Sequence, residues 1–373
     1  MRCVQLYLSC EAGSCAGNLF CRGRMPQKGR RIVKLNPQNP PHIRSRDTNR
    51  TIMSDTVIAL LPLYAMAAYF YGTRALMLGF VGFCTSCVAD ALCVLLSGRI
   101  PNLRDLSAAV TGLILPLLMP ASVRYSVVVV AVIFAVVVAK HPFGGVGENI
   151  FNPAAAGMAF AIVCWPSEVF TYPAPFERIP LMLSADTVFR TAASPAKALA
   201  LGGMPTNDLL DMLLGNVAGP MGAANILVLL TCLLYLVVRR AVHPQVTLSF
   251  LAGAAVMAAI FPRAAGGTAV LYELMSGMLL FGAVFMVNDP VTSPKRIVPM
   301  IVYGGVTGMA SIAFRHLGSF EESMIFALLV MNSTVWLLDL WGEHMARNMR
   351  RKERESATDS KVSASSGSDV GNH

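Results

Sequence analysis

Four groups of residues have types and spacing that could do chemistry. The first is the stretch Phe143-Gly-Gly-Val-Gly-Glu-Asn-Ile-Phe-Asn-Pro153. Gly144 and Gly145 let backbone approach a planar or phosphorylated ligand, and Asn149 and Asn152 supply both donors and acceptors. The same residues also read as a turn that opens a short helix, with Asn152 as N-cap and Pro153 at the first helical position. The two readings are compatible. A second island, Phe285-Met-Val-Asn-Asp-Pro-Val-Thr-Ser-Pro294, sets Asp289 beside Asn288, Thr292 and Ser293, suited to a cation or a ligand hydroxyl; Asp-Pro and Ser-Pro are also ordinary turn starters. Third, Asp90 and Glu273 sit singly among apolar neighbours, where each needs a partner, a water path or a cation. They are candidates for an ion pathway, while Asp339 reads as interfacial. Fourth, Thr191-Ala-Ala-Ser194 places two hydroxyls three apart before Pro195. By itself this is a helix start with Ser194 as N-cap. No catalytic residue and no metal site is assigned from these types and spacings.

The elements that must position these residues are apolar. Of 373 residues, 55% are apolar and 14% charged, with mean hydropathy +0.57, whereas soluble domains carry about 25% charged residues. That largely excludes a water-soluble enzyme. The apolar residues fall into about ten blocks, 55–72, 75–97, 107–120, 125–140, 154–165, 224–242, 246–262, 268–287, 297–315 and 324–341. A span needs about 20 residues, so 107–120 and 154–165 read as re-entrant or buried segments. The sequence therefore predicts an all-α polytopic membrane domain over 51–345, with one long loop at 166–223. Five blocks lie on each side of that loop, and a duplication with an odd number of spans per half is an inverted repeat. Its sequence trace is slight: Thr111-Gly-Leu-Ile-Leu-Pro against Ser276-Gly-Met-Leu-Leu-Phe.

The net charge of +9 comes from 30 Lys and Arg against 21 Asp and Glu, and its placement speaks for orientation rather than nucleic acid. Ten precede the first block, and the tail carries Arg347, Arg350, Arg351, Lys352, Arg354 and Lys361. By the positive-inside rule, both termini are cytoplasmic and the 166–223 loop is outside. Arg99, Arg104, Lys140, Arg239, Arg240, Lys295 and Arg296 fall in the inner connections of this scheme, and Arg74, Arg124, Arg263 and Arg315 in the outer ones. Residues 1–50 form a cytoplasmic segment whose first 24 read as an upstream-start extension before Met25. For Cys3, Cys10, Cys15 and Cys21 the competing readings are a metal or cluster site, for which the spacing is poor, a disulfide pair, or that extension without function. Cys84 and Cys87, a C-T-S-C pair inside an apolar block, suit redox or metal work, though small residues at a helix contact are the commoner use. The Ser- and Asp-rich stretch 346–373 reads as a disordered tail.

Three strings in order carry a resemblance: Pro41-His-Ile-Arg-Ser ahead of Ile52-Met-Ser-Asp-Thr-Val-Ile-Ala-Leu-Leu-Pro, the Phe143 loop and the Phe285 island. Together they resemble the RnfD/NqrB family over about residues 40–345, and chain length favours its RnfD branch. The resemblance implies a urea-transporter-like fold of ten spans in two inverted five-helix repeats, in the bacterial cytoplasmic (inner) membrane. It implies a subunit of an Rnf complex that passes electrons from reduced ferredoxin to NAD while moving Na+ or H+. Alternatives are an NqrB-like subunit of a Na+-pumping NADH:quinone reductase, or a small-solute transporter or channel of the same fold. It further implies partnership with the other complex subunits and membrane lipid, and no nucleic acid. FMN is implied to be joined through its phosphate by a flavin transferase at a Ser/Thr-Gly-Ala-Thr motif, which corresponds here to Thr191-Ala-Ala-Ser194. Ser194 is then the acceptor, with Ser in place of the usual Thr, Ala192 in place of Gly, and Asp186 eight residues ahead rather than six. Non-covalent riboflavin is a second implied cofactor.

Overall fold

The structure, a computed structural model, describes residues 49–98, 106–144, 147–183, 188–264, 267–318 and 320–368, with side chains as far as Lys352. Segment 1–50 with its cysteines falls outside these apart from Asn49 and Arg50, as do Gly145 and Asp186. The described residues are helical apart from loops and one isolated antiparallel bridge between Pro173 and Thr191.

Helices α1 (Asn49–Tyr71) and α2 (Thr73–Leu96) are separated only by Gly72, whose φ of 82° is a backbone setting that favours glycine. They are followed by α3 (Ser107–Leu117), α4 (Tyr125–Phe134) with a π-helical continuation Ala135–Lys140, and α5 (Pro153–Cys164). Short helices α6 (Pro166–Val169), α7 (Pro195–Ala200) and α8 (Leu209–Leu214) punctuate the long loop. Beyond it come α9 (Ile226–Val238), α10 (Pro244–Ile260), α11 (Ala269–Met275), α12 (Leu279–Phe285), α13 (Ile297–Leu317) and α14 (Met324–Ser368). Among the described residues, five helices are long and apolar enough to cross a membrane, or six if α11 and α12, bent by 61°, form one span. Helices α3, α5, α9 and α10 are apolar but shorter. Large apolar side chains such as Leu61, Phe80, Leu95, Leu234, Leu248 and Trp336 face outward. Water would not tolerate so many together, and lipid does.

Packing follows small residues. Gly82 of α2 and Gly112 of α3 meet so closely that a Cβ on either would strike the other's carbonyl, the close approach on which membrane helices rely. Tyr64 Oη donates to Leu113 O at 2.7 Å and Ser86 Oγ to Ala108 O at 2.6 Å, which ties α1 and α2 to α3. Helix α3 ends early, and its freed carbonyls must find donors away from water. They find them at the end of the long loop: Gly222 N–H donates to Leu117 O at 2.7 Å and, just past the helix, Met221 N–H to Met119 O at 3.1 Å. The buried Arg74 side chain donates to Ala121 O and Val123 O, at 2.8 Å each, and to Leu181 O at 2.6 Å. One guanidinium thus organises the turn after α3 and the long loop together.

Helix α14 runs on beyond Trp341 to Ser368; Ala, Arg, Glu, Lys and Met in that stretch are strong helix formers. One expectation needs correction. The block at 268–287 is one apolar run in sequence but two helices in space, broken at Ser276–Met278.

Candidate functional site

Two polar regions emerge. The first unites motifs that lie more than a hundred positions apart. Asn149, Asn152 and Asp289 line one pocket, with Ile52, Thr56, Thr111, Phe285 and Asn288, whose enclosed part is about 60 Å³. Asn152 is the N-cap of α5: its Oδ1 accepts from Ala154 N–H at 3.0 Å and Ala155 N–H at 3.2 Å. Its Nδ2 donates to Met286 O at 3.2 Å, so the cap is also the clasp between the two islands. Asn288 Nδ2 donates to Thr247 Oγ1 and Ala283 O, both at 2.7 Å, and its Oδ1 is buried with no partner. Asp289 is half-buried under Thr292, whose hydroxyl donates to Oδ2 at 2.9 Å. Burial pushes its carboxyl above the usual range, against that hydrogen bond. Gly144 has φ 119° and stands outside the pocket lining, with the Glu148 carboxyl against it. Among the described residues no cluster of three or more His, Cys, Asp or Glu could hold a metal.

The second region surrounds Ser194. Its hydroxyl caps α7, accepting from Lys197 N–H at 3.1 Å, and donates to Glu321 Oε2 at 2.7 Å. A polar pocket of about 190 Å³ opens beside it, walled by Phe170, Thr171 and Tyr172 on one strand-like segment and by Thr191–Ser194 and Lys197 on the other. Backbone bonds from Ala174 N–H to Arg190 O (2.8 Å) and from Ala192 N–H to Tyr172 O (3.1 Å) hold the two walls together. Thr191 is exposed at the rim.

Behind Ser194 lies a cluster of four buried charges. Arg315 Nη1 donates to Glu273 O at 3.0 Å and Ser276 Oγ at 3.2 Å, and approaches Glu273 Oε1 at 3.4 Å. Its Nη2 donates to Glu322 Oε2 at 3.3 Å, and that oxygen also accepts from Met278 N–H at 3.0 Å. Arg263 Nη1 stands 3.7 Å from Glu273 Oε1. Two arginines balance two glutamates, as buried charge requires. Burial pushes the Glu322 carboxyl up while Arg315 pulls it down.

Asp90 is elsewhere. Its Oδ1 is 2.9 Å from Lys140 Nζ and 2.9 Å from His141 Nε2, at the end of the π-helical turn. Asp339 Oδ1 accepts from Lys295 N–H at 3.1 Å, as an interfacial capping group does.

Sequence reasoning picks out Glu273 and Asp90 but misses their partners. Arg315 and Lys140 read as loop charges in the sequence, yet both are buried, at 2% and 1% exposure. Glu321 and Glu322 are missed and Asn288 is left as a neighbour; the doublet Glu321-Glu322 beside an apolar block is the signal that could have found the first two.

Known proteins resemble this chain along most of its length. The D subunit of the Na(+)-translocating ferredoxin:NAD(+) oxidoreductase complex of Acetobacterium woodii is 30% identical over 327 residues, 87% of this chain and 98% of that one. The D subunit of the proton-translocating ferredoxin:NAD(+) oxidoreductase complex of Clostridium ljungdahlii is 28% identical, with 83% and 95% covered. The D subunit of the ion-translocating oxidoreductase complex of Aliivibrio salmonicida is 29% identical, with 81% and 95% covered. The model of the NQR2, RnfD, RnfE family matches residues 36–346, and the chain belongs to that family.

Proposed function

We propose that this chain is the flavin-carrying membrane subunit of an ion-translocating ferredoxin:NAD oxidoreductase complex, with FMN joined through its phosphate to Ser194. The observation that carries this reading is the Ser194 hydroxyl beside a polar pocket with Lys197 at its edge. The chemistry of the walls fits a phosphorylated group: Lys197 and exposed Thr191 supply donors, and Tyr172 has a buried hydroxyl with no partner. At about 190 Å³ the pocket is below the roughly 300 Å³ at which sites enclose a drug-sized ligand, so it holds the phosphoryl end and leaves the ring outside. A cofactor enclosed only at one end gains from a covalent tether. FMN supplies one- and two-electron transfer when bound; the chain supplies position and electrostatics.

The Asn149–Asn152–Asp289 pocket is proposed for the second, non-covalent flavin. The unpartnered Asn288 Oδ1 is an acceptor of the kind an imide N–H of riboflavin satisfies, and the small enclosed volume admits an edge of the ring rather than its whole. Asp90 and Glu273 remain the proposed ion-pathway carboxylates. The membrane is proposed to be the bacterial inner membrane, crossed ten times by adding the bent pair and the four shorter apolar helices to the five long ones. Both termini are then cytoplasmic, and the flavin transferase meets the 166–223 loop outside.

The test is flavin fluorescence of the denatured band on a gel, from cells with an active flavin transferase. The wild-type chain is expected to fluoresce and Ser194→Ala to be dark. A dark wild-type band would remove the reading.

A further inference from the structure

The two hydrogen bonds of Ser194 differ in kind. The one from Lys197 N–H only caps α7. The one to Glu321 Oε2, at 2.7 Å, reaches a residue 127 positions away, in the connection between α13 and α14, and α7 needs no such partner to be capped. A serine hydroxyl at its ordinary pKa is a weak nucleophile and is activated by an adjacent base that accepts its proton. A carboxylate is also a poor neighbour for a phosphate ester, since like charges repel. One role resolves that conflict: a carboxylate that takes up the proton as the ester forms becomes neutral at the moment the phosphate arrives.

We propose that Glu321 is the general base for attachment of the flavin to Ser194, accepting the hydroxyl proton as Oγ attacks phosphorus. This rests on the reading of Ser194 as the FMN acceptor. The donor must be a flavin phosphoanhydride such as flavin adenine dinucleotide, because a simple phosphate monoester offers no adequate leaving group. In the step, the Oγ–P bond forms and the anhydride P–O bond breaks. The nucleoside monophosphate leaves with the bonding pair, and the proton passes from Oγ to Glu321 Oε2. Nothing is oxidised or reduced. Glu321, now neutral, can donate to a phosphoryl oxygen of the product.

The surroundings suit this role. Burial pushes the Glu321 carboxyl above the usual range, while the Ser194 hydrogen bond and the charges of Lys197 and Arg315 pull it back. A base whose pKa lies nearer the working pH accepts a proton more effectively than an ordinary carboxylate. The charged and titratable groups around it are Lys197 on α7, Arg315 on α13, Glu322 next in the chain and Tyr172 on the opposite wall.

The experiment measures initial rates of covalent flavin incorporation into the full-length chain in membranes, with purified transferase, Mg²⁺ and flavin adenine dinucleotide, from pH 5 to 9. Gel fluorescence and the mass of the Ser194 peptide are the readouts. Rates are normalised to the same transferase acting on an unrelated acceptor protein. General-base catalysis contributes about 10² to 10⁴-fold, so Glu321→Gln is expected to slow attachment by about 100-fold and to lose the acid limb of the wild-type profile. Glu321→Asp is expected to retain that limb at a reduced rate. Should the Gln variant fail to accumulate, the wild-type and Asp profiles decide: a normalised profile without an acid limb overturns the proposal. A fluorescent wild type with an equally fast Glu321→Gln overturns it alone. A dark wild type removes the Ser194 reading and this proposal with it.

Discussion

At the scale of single residues, charge pairing decides what a substitution reports. Lys140 is 1% exposed, and its charge is matched by Asp90 at 2.9 Å. Removing one partner of a buried pair costs about 3–5 kcal/mol because the other is left uncompensated. Asp90→Asn is therefore expected to lower the melting temperature of the detergent-solubilised chain, and the double variant Asp90→Asn with Lys140→Met to recover most of the loss. Ion transport separates structure from pathway: if Asp90 carries the ion, the double variant melts normally yet takes up no Na+ or H+ in vesicles. Uptake at the wild-type rate would take Asp90 out of the pathway. Glu273→Gln poses the same question at Arg263, which loses the carboxylate 3.7 Å away, while Arg315 keeps Glu322 at 3.3 Å. The local roles were legible in the sequence. Asn152 and Ser194 cap helices as their neighbours Pro153 and Pro195 dictate, because capping is settled within three residues. Partners across the fold were not: nothing in the spacing joins Ser194 to Glu321 or Asp90 to Lys140, and a basic residue at the end of an apolar block looks the same whether it faces water or a buried carboxylate.

At the scale of elements, the break between α11 and α12 is held by side chains rather than by backbone pairing. Non-helical backbone at membrane depth persists only where its polar groups are met by protein. Here Arg315 Nη2 donates to Ser276 O at 3.3 Å and Glu322 accepts from Met278 N–H at 3.0 Å. Gly277 carries the turn with φ 67°, and a Cβ there would collide with the Glu322 carboxyl. Gly277→Ala is expected to cost at least about 1 kcal/mol from backbone conformation alone and more from displacing Glu322, read as a lower melting temperature. If Glu322 yields, Met278 loses its acceptor and α12 shifts, so ferredoxin-dependent NAD reduction by the complex should fall as well. An unchanged melting temperature would mean that the break does not depend on this turn. The shortness of α3 and α5 was legible, since their blocks are too few residues to span a bilayer unaided. The break was not, because Leu274-Met-Ser-Gly-Met-Leu-Leu280 is apolar or small throughout and its periodicity gives no stop. Nor was the reach of α14 to Ser368, since its apolar block ends near Trp341.

For the molecule as a whole, orientation is the property on which the other proposals depend. Flavin attachment outside the cytoplasm needs Ser194 on the outer face, and Ser194 shares an end of the molecule with the turn after α3, since Arg74 reaches both that turn and Leu181 of the long loop. Burial of Arg74, Lys140 and Arg315 removes three charges from the loop count, two from the outer connections and one from the inner. Setting these three aside raises the share of Lys and Arg on the proposed inner side. Asp55 near the start of α1 pairs with Arg239 after α9 at 3.1 Å, which places the first helix of each half with opposite ends together, N-terminal in one and C-terminal in the other. The ten crossings proposed above require that arrangement, α1 and α9 then being the first and the sixth. Reporter fusions test it directly. An alkaline phosphatase fused within the loop near Met204 is expected to be active, and one fused after Lys352 inactive, with the reverse for a fluorescent reporter that matures only in the cytoplasm. Activity of both phosphatase fusions would imply an even number of crossings between them. Activity of the second alone would put Ser194 in the cytoplasm, beyond the reach of a transferase outside it.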